Sequence, residues 1–126
     1  MSDLDIEGKQ QNMVAALAKS GEDVWTSLTA EDCAVWHMTT GIATEAGELL
    51  SAVKKVVIYN QPLDLENIKE ELGDLEFYLE GLRQAIGVSR TECLLANQAK
   101  LSQRYPGFQY SDGLAQARKD KAHEGR

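Results

Sequence analysis

Two prolines and two histidines are all that 126 residues contain, and aromatic residues make up only 6%. No apolar run approaches the roughly 18 residues that a membrane-spanning helix needs. The two cysteines, Cys33 and Cys93, lie 60 positions apart with no C-x-x-C pair, which excludes a disulfide scaffold and a thiolate zinc site. Cations are also scarce. Lys and Arg number 13 against 20 Asp and Glu, a formal charge of −7. Such a surface repels polyanions, so general binding to DNA or RNA is disfavoured. The start, MSDLDIEGKQQ, is acidic and polar, unlike a secretory signal. The chain is therefore expected in the cytoplasm, off the membrane.

What is present is helical patterning in one domain-sized chain. A first helix is predicted from Ile6 to Lys19, stopped by Ser20-Gly21, with Trp25 in a short acidic link. Thr29-Ala30-Glu31-Asp32 reads as a capping box with Asp in place of Glu. It opens a long helix to about Ile58, whose apolar stripe is Ile42, Ala46, Leu49, Val53 and Val56, with an irregularity expected near Gly41. After a turn at Tyr59 to Pro62, Asp64 can cap the next helix. Its apolar row, from Leu65 through Leu72, Leu75 and Leu79 to Ile86, alternates spacings of 3 and 4 until Gly87. Ser89-Arg90-Thr91-Glu92 is a full capping box for a further helix ending at Tyr105-Pro106-Gly107. Nothing reads as a strand. The expectation is an all-α bundle of four to five helices forming one domain over 1–126, with its core at about 29–110. A tail at about 112–126 is expected to be partly frayed.

The carboxylates carry the chemistry. Glu45 and Glu48 lie about 60° apart on one helix, at the edge of its apolar sector. Glu71 and Asp74 hold the matching place on the next helix, with Tyr78 between them in angle. If the two helices pack antiparallel, all four acids can address one site. Like charges so close raise each other's pKa or recruit a cation. An all-oxygen set selects a hard ion, Mg²⁺ or Mn²⁺. A di-iron site would need two E-x-x-H motifs, and neither His37 nor His123 follows a Glu by three positions. On the last confident helix, Asn97, Lys100 and Arg104 share a face, with Tyr105 beside them. In an acidic protein that face is a candidate phosphate clamp. Lys54 and Lys55 read as plain surface residues.

Three segments, GIATEAGELLSAVKK, NIKEELGDLEFYLEGL and NQAKLSQRYPGF, resemble in that order the MazG-like all-α nucleoside triphosphate pyrophosphohydrolases, especially the short single-domain phage and bacterial forms. The family pattern is E-x-x-E, a gap, then E-x-x-D; here 22 residues separate Glu48 from Glu71. The resemblance covers about residues 34–110. It implies hydrolysis of an NTP or dNTP to the monophosphate and pyrophosphate with Mg²⁺ or Mn²⁺. Glu45, Glu48, Glu71 and Asp74 would be metal ligands, and Glu48 would serve as the catalytic base. Asn97, Lys100, Arg104 and Tyr105 would hold phosphate oxygens, and Tyr78 the sugar or a phosphate. His37 would lie near the base, with Trp36 or Trp25 stacking on it.

One departure bears on substrate. Pyrimidine-directed relatives carry an aromatic residue seven positions after the second Glu, where this chain has Lys55. That leans the expectation toward a purine, dGTP or GTP, as in the phage MazZ branch; a phage origin would place the protein in the host cytoplasm. A pyrimidine substrate, dUTP or dCTP, is the alternative. A non-catalytic nucleotide sensor or helical interaction module would use the same scaffold without turnover. Phe77 lies opposite the leucine stripe, which suggests a partner surface, and the family implies a homo-oligomer, a tetramer in preference to a dimer.

Overall fold

A computed structural model of the chain describes residues 3–121. All regular structure among them is helical. The helices are α1 (Asp3–Leu17), α2 (Gly21–Ser27), α3 (Ala30–Val57), α4 (Leu65–Ile86), α5 (Arg90–Arg104) and α6 (Asp112–Ala117). Short 3-10 turns occupy Pro106–Phe108 and Lys119–Lys121. The all-α expectation holds, with five helices of seven residues or more and the single-turn-and-a-half α6.

The helix starts follow from local chemistry. The Thr29 hydroxyl accepts from the Asp32 amide at 3.0 Å, and the Asp32 carboxylate accepts from the Thr29 amide at 3.0 Å. This reciprocal pair satisfies two donors that a helix terminus leaves unpaired. Asp64 caps α4 by accepting from the Asn67 amide, and Ser89 with Glu92 closes a full capping box on α5. Gly87, with φ of 71°, ends α4 in the left-handed region, where glycine carries no Cβ penalty.

Two expectations are corrected. The stretch around Trp25 is a helix, because Ser20 caps α2 through the Asp23 amide. Ser20-Gly21 is thus a restart as well as a stop. α3 runs unbroken through Gly41, which is buried.

The described chain divides into two compact units, Met1–Cys33 and Ala34–Arg126. The first holds α1, α2 and the first turn of α3, with Leu17 and Trp25 exposed. In the second, α3 and α4 pack antiparallel. Met38 meets Gly81 and Tyr78 meets Gly41, so advancing along α3 retreats along α4. Gly41 is required by contact. A Cβ there would collide with the Tyr78 ring carbons, and one at Gly81 would strike the Met38 sulfur. The two helices therefore interlock through large side chains seated on glycines.

The apolar rows are only partly covered. Ile42, Leu49 and Val56 on α3 and Ile68, Leu75, Leu79 and Leu82 on α4 are half-buried, whereas Val53, Leu72 and Ile86 are exposed. Ala52, at 8% exposure, is the one buried apolar side chain among the described residues. The C-terminal segment is folded against α5 instead of frayed up to residue 121. α6 and the turn at Lys119–Lys121 return to that helix, and Asp120 pairs with Arg104 at 2.7 Å. The rest of the expected fraying, 122–126, lies outside the described residues.

Candidate metal centre

The antiparallel register of α3 and α4 brings Glu45, Glu71 and Asp74 together. Each offers one carboxylate oxygen, and these oxygens lie within 4.8 Å of one another. Glu45 and Glu71 are half-buried and Asp74 is exposed, so the cluster sits at the margin of the helix pair and opens to solvent. Glu48 stands outside this trio. It remains close enough for its charge to raise the Glu71 pKa.

Glu71 shows what the arrangement costs. Its carboxyl is pushed above the usual carboxylate range, first by burial, then by a shared hydrogen bond with Glu45 and by repulsion from Glu45, Glu48 and Asp74. Its Oε2 is buried with no hydrogen-bond partner. A buried acceptor without a donor is rare in folded proteins and unfavourable. A divalent cation would give that oxygen a partner and offset the repulsion together. The donor set, all carboxylate oxygens, fits a hard ion.

One turn along the seam, Tyr78 lies over Gly41 and is flanked by two rings. His37 meets it edge-on at 6.3 Å, and Phe77 at 5.1 Å. Residues 37, 41 and 45 fall one turn apart on α3, so His37, the Tyr78 seat and the acidic trio form a row on one face. Trp36 points away from burial at 70% exposure.

The α5 residues divide. Asn97 and Lys100 are exposed and make no side-chain hydrogen bond or ion pair among the described residues. Arg104 and Tyr105 are half-buried at the end of the helix. Arg104 Nε and Nη2 donate to the two carboxylate oxygens of Asp120 at 2.7 and 2.9 Å, and its Cζ lies 6.0 Å from the centre of the Tyr105 ring. The guanidinium holds the Asp120 carboxyl below its ordinary range, and Asp120 in turn raises the Arg104 pKa.

Sequence reasoning missed two of these residues. Gly41 carries a usable signal, since a glycine inside a strongly periodic helix often marks a close approach and not only an irregularity. Asp120 carries none. It lies 16 positions from Arg104 in a polar stretch, and nothing local connects the two.

The fold and the site define an all-α protein whose central helix pair presents a carboxylate cluster able to hold a divalent cation. The model of the MazG nucleotide pyrophosphohydrolase domain matches residues 35–109, more than half of the chain, and the chain belongs to that family. Neither the curated proteins nor the solved structures give a significant match. The general activity that goes with the domain is nucleotide pyrophosphohydrolysis.

Proposed function

We propose that the protein is a divalent-metal-dependent nucleoside triphosphate pyrophosphohydrolase acting in the cytoplasm, converting an NTP or dNTP and water to the monophosphate and pyrophosphate. The observation that carries this reading is the orphaned, buried Oε2 of Glu71 beside Glu45 and Asp74. In a member of this family, that oxygen has the chemistry of a metal ligand.

Glu45, Glu71 and Asp74 would hold Mg²⁺ or Mn²⁺, with Glu48 adjoining them. The ion supplies charge neutralisation for the triphosphate and polarises the phosphate it meets. Glu48, outside the tight trio and next to it in charge, is the acid best placed to accept a proton from the attacking water. The water oxygen bonds to the α-phosphorus, the α–β bridging bond breaks, and pyrophosphate leaves. Asn97, Lys100, Arg104 and Tyr105 bind phosphate oxygens, Tyr78 positions the sugar or a phosphate, and His37 with Trp36 meets the base. Lys55, where pyrimidine-directed relatives carry an aromatic, leans the preference to dGTP or GTP.

The assembly is a homo-oligomer. Ala52 is the one buried apolar side chain among the described residues, far too little core for the chain to stand alone. Exposed apolar side chains on two different helices, the row Leu50, Val53 and Val57 on α3 and the adjacent Leu94 and Leu95 on α5, suit two separate interfaces. A dihedral tetramer uses two such interfaces and a dimer one.

Product analysis tests the activity. The purified protein is incubated with each of the eight common NTPs and dNTPs, in Mg²⁺ and then in Mn²⁺. Monophosphate plus pyrophosphate is the expected product, and the ranking names the base. A ranking led by dUTP or dCTP would overturn the purine preference alone. Diphosphate plus orthophosphate, or no turnover in either metal, would overturn the reading, the latter in favour of a sensor or interaction module.

A further inference from the structure

The Arg104–Asp120 pair differs in kind from the other ion pairs among the described residues. Lys69–Glu66 and Arg83–Glu80 each span three positions on α4, and in both the acid is at least half exposed. Arg104 and Asp120 are 16 positions apart, with side chains only 19% and 1% exposed. The chain bends back to make the contact, and Arg118 takes a positive φ of 47° in doing so. A carboxylate so buried is tolerated only when both oxygens are paired, which the two hydrogen bonds achieve.

The pairing is side-on. Asp120 takes the Nε hydrogen and one Nη2 hydrogen of Arg104. A guanidinium carries five N–H groups, so three remain for other partners, two on Nη1 and one on Nη2, and the Tyr105 side chain also hydrogen-bonds to the guanidinium. Neighbouring hydrogens on these two nitrogens form the outer edge, whose parallel donors match two oxygens of a phosphate. An arginine gripped on one edge has lost its freedom to rotate and can direct only the other. The paired carboxylate also offsets the guanidinium charge, so what the grip adds is direction.

We propose that Asp120 is a positioning residue for substrate phosphate. Its grip turns the outer edge of Arg104 to the oxyanion and makes the C-terminal segment part of the binding machinery, although that segment lies beyond the family match at residue 109. The inference rests on the pyrophosphohydrolase reading, in which Arg104 contacts phosphate.

The test is a double-mutant cycle with D120N, which keeps the volume but places an amide against the guanidinium, and R104K, which keeps the charge but loses the fork. KM and kcat are measured for the nucleotide that wild type hydrolyses best, with helix content followed by circular dichroism. D120N is expected to raise KM about ten-fold with kcat within about three-fold, on the scale of lost outer-shell partners. Added to R104K it should have no further effect. An unchanged KM in D120N, or effects that simply add in the double variant, would overturn the proposal. Should D120N lose helix content, D120E takes its place, keeping the carboxylate on a longer stem. A raised KM with kcat retained supports the proposal and an unchanged KM overturns it. If wild type hydrolyses no nucleotide, the pyrophosphohydrolase reading falls by itself. Calorimetric titration with inorganic pyrophosphate then decides this inference. Binding weakened about ten-fold in D120N supports it, and equal binding, or none to either protein, overturns it.

Discussion

Glu71 sits where two demands conflict. As part of α4 it is drawn against α3, and as a carboxylate it is held near Glu45, Glu48 and Asp74. In the metal-free protein the folded state binds its proton more tightly than the unfolded chain does. Stability should therefore fall as pH rises from the ordinary carboxylate range through the raised Glu71 value. Thermal melts across pH 4 to 8 in chelator should show that slope as the difference between wild type and E71Q, because the lowered carboxyls of Asp32, Glu80, Glu92 and Asp120 pull the other way. Added Mg²⁺ or Mn²⁺ should raise the melting temperature more at pH 8 than at pH 5, because protons compete with the cation at low pH. Replacing Glu45, Glu71 or Asp74 by the amide should cost about a hundred-fold or more in turnover, on the scale of lost electrostatic groups in active sites, with helix content intact. Steady-state rates alongside circular dichroism check both halves of that statement.

At the scale of the element, α3 and α4 owe their register to side chains seated on glycines. Alanine is ordinarily the better helix former by up to about 1 kcal/mol. At Gly41 the sign should reverse, since a methyl group meets the Tyr78 ring. We expect G41A to destabilise by about 1–3 kcal/mol, the usual cost of overpacking, in urea unfolding. α5 depends on its start: S89A removes one half of the capping box and should cost about 1 kcal/mol in the same measurement. Helix boundaries were largely legible in sequence for this reason. Thr29, Asp64 and Ser89 each act on an amide three residues away. The α2 restart was missed because Ser20-Gly21 serves equally well as an ending.

For the whole molecule the governing fact is how little apolar surface is covered. The leucine row of α4 was visible as a periodicity, yet Leu72 and Ile86 are exposed, as are Leu50 and Val57 on α3 and Leu95 on α5. Light scattering coupled to size exclusion should give a homo-oligomer, with four copies expected. V57D and L95D, each placing a charge in one exposed apolar patch, should reduce the mass in separate steps if the patches serve separate interfaces. A wild-type monomer at micromolar concentration would refute the assembly.

The sequence by itself determined the helical class and most of the helix ends, because each depends on residues within a turn or on the 3.6-residue period. Tertiary structure alone decided three matters: that Glu45, Glu71 and Asp74 converge while Glu48 stands beside them, that Tyr78 lies on Gly41, and that Asp120 holds Arg104. Each depends on the relative height and rotation of two segments. Spacing within one helix cannot specify these, because any whole-turn slide preserves the same apolar match while bringing different residues together.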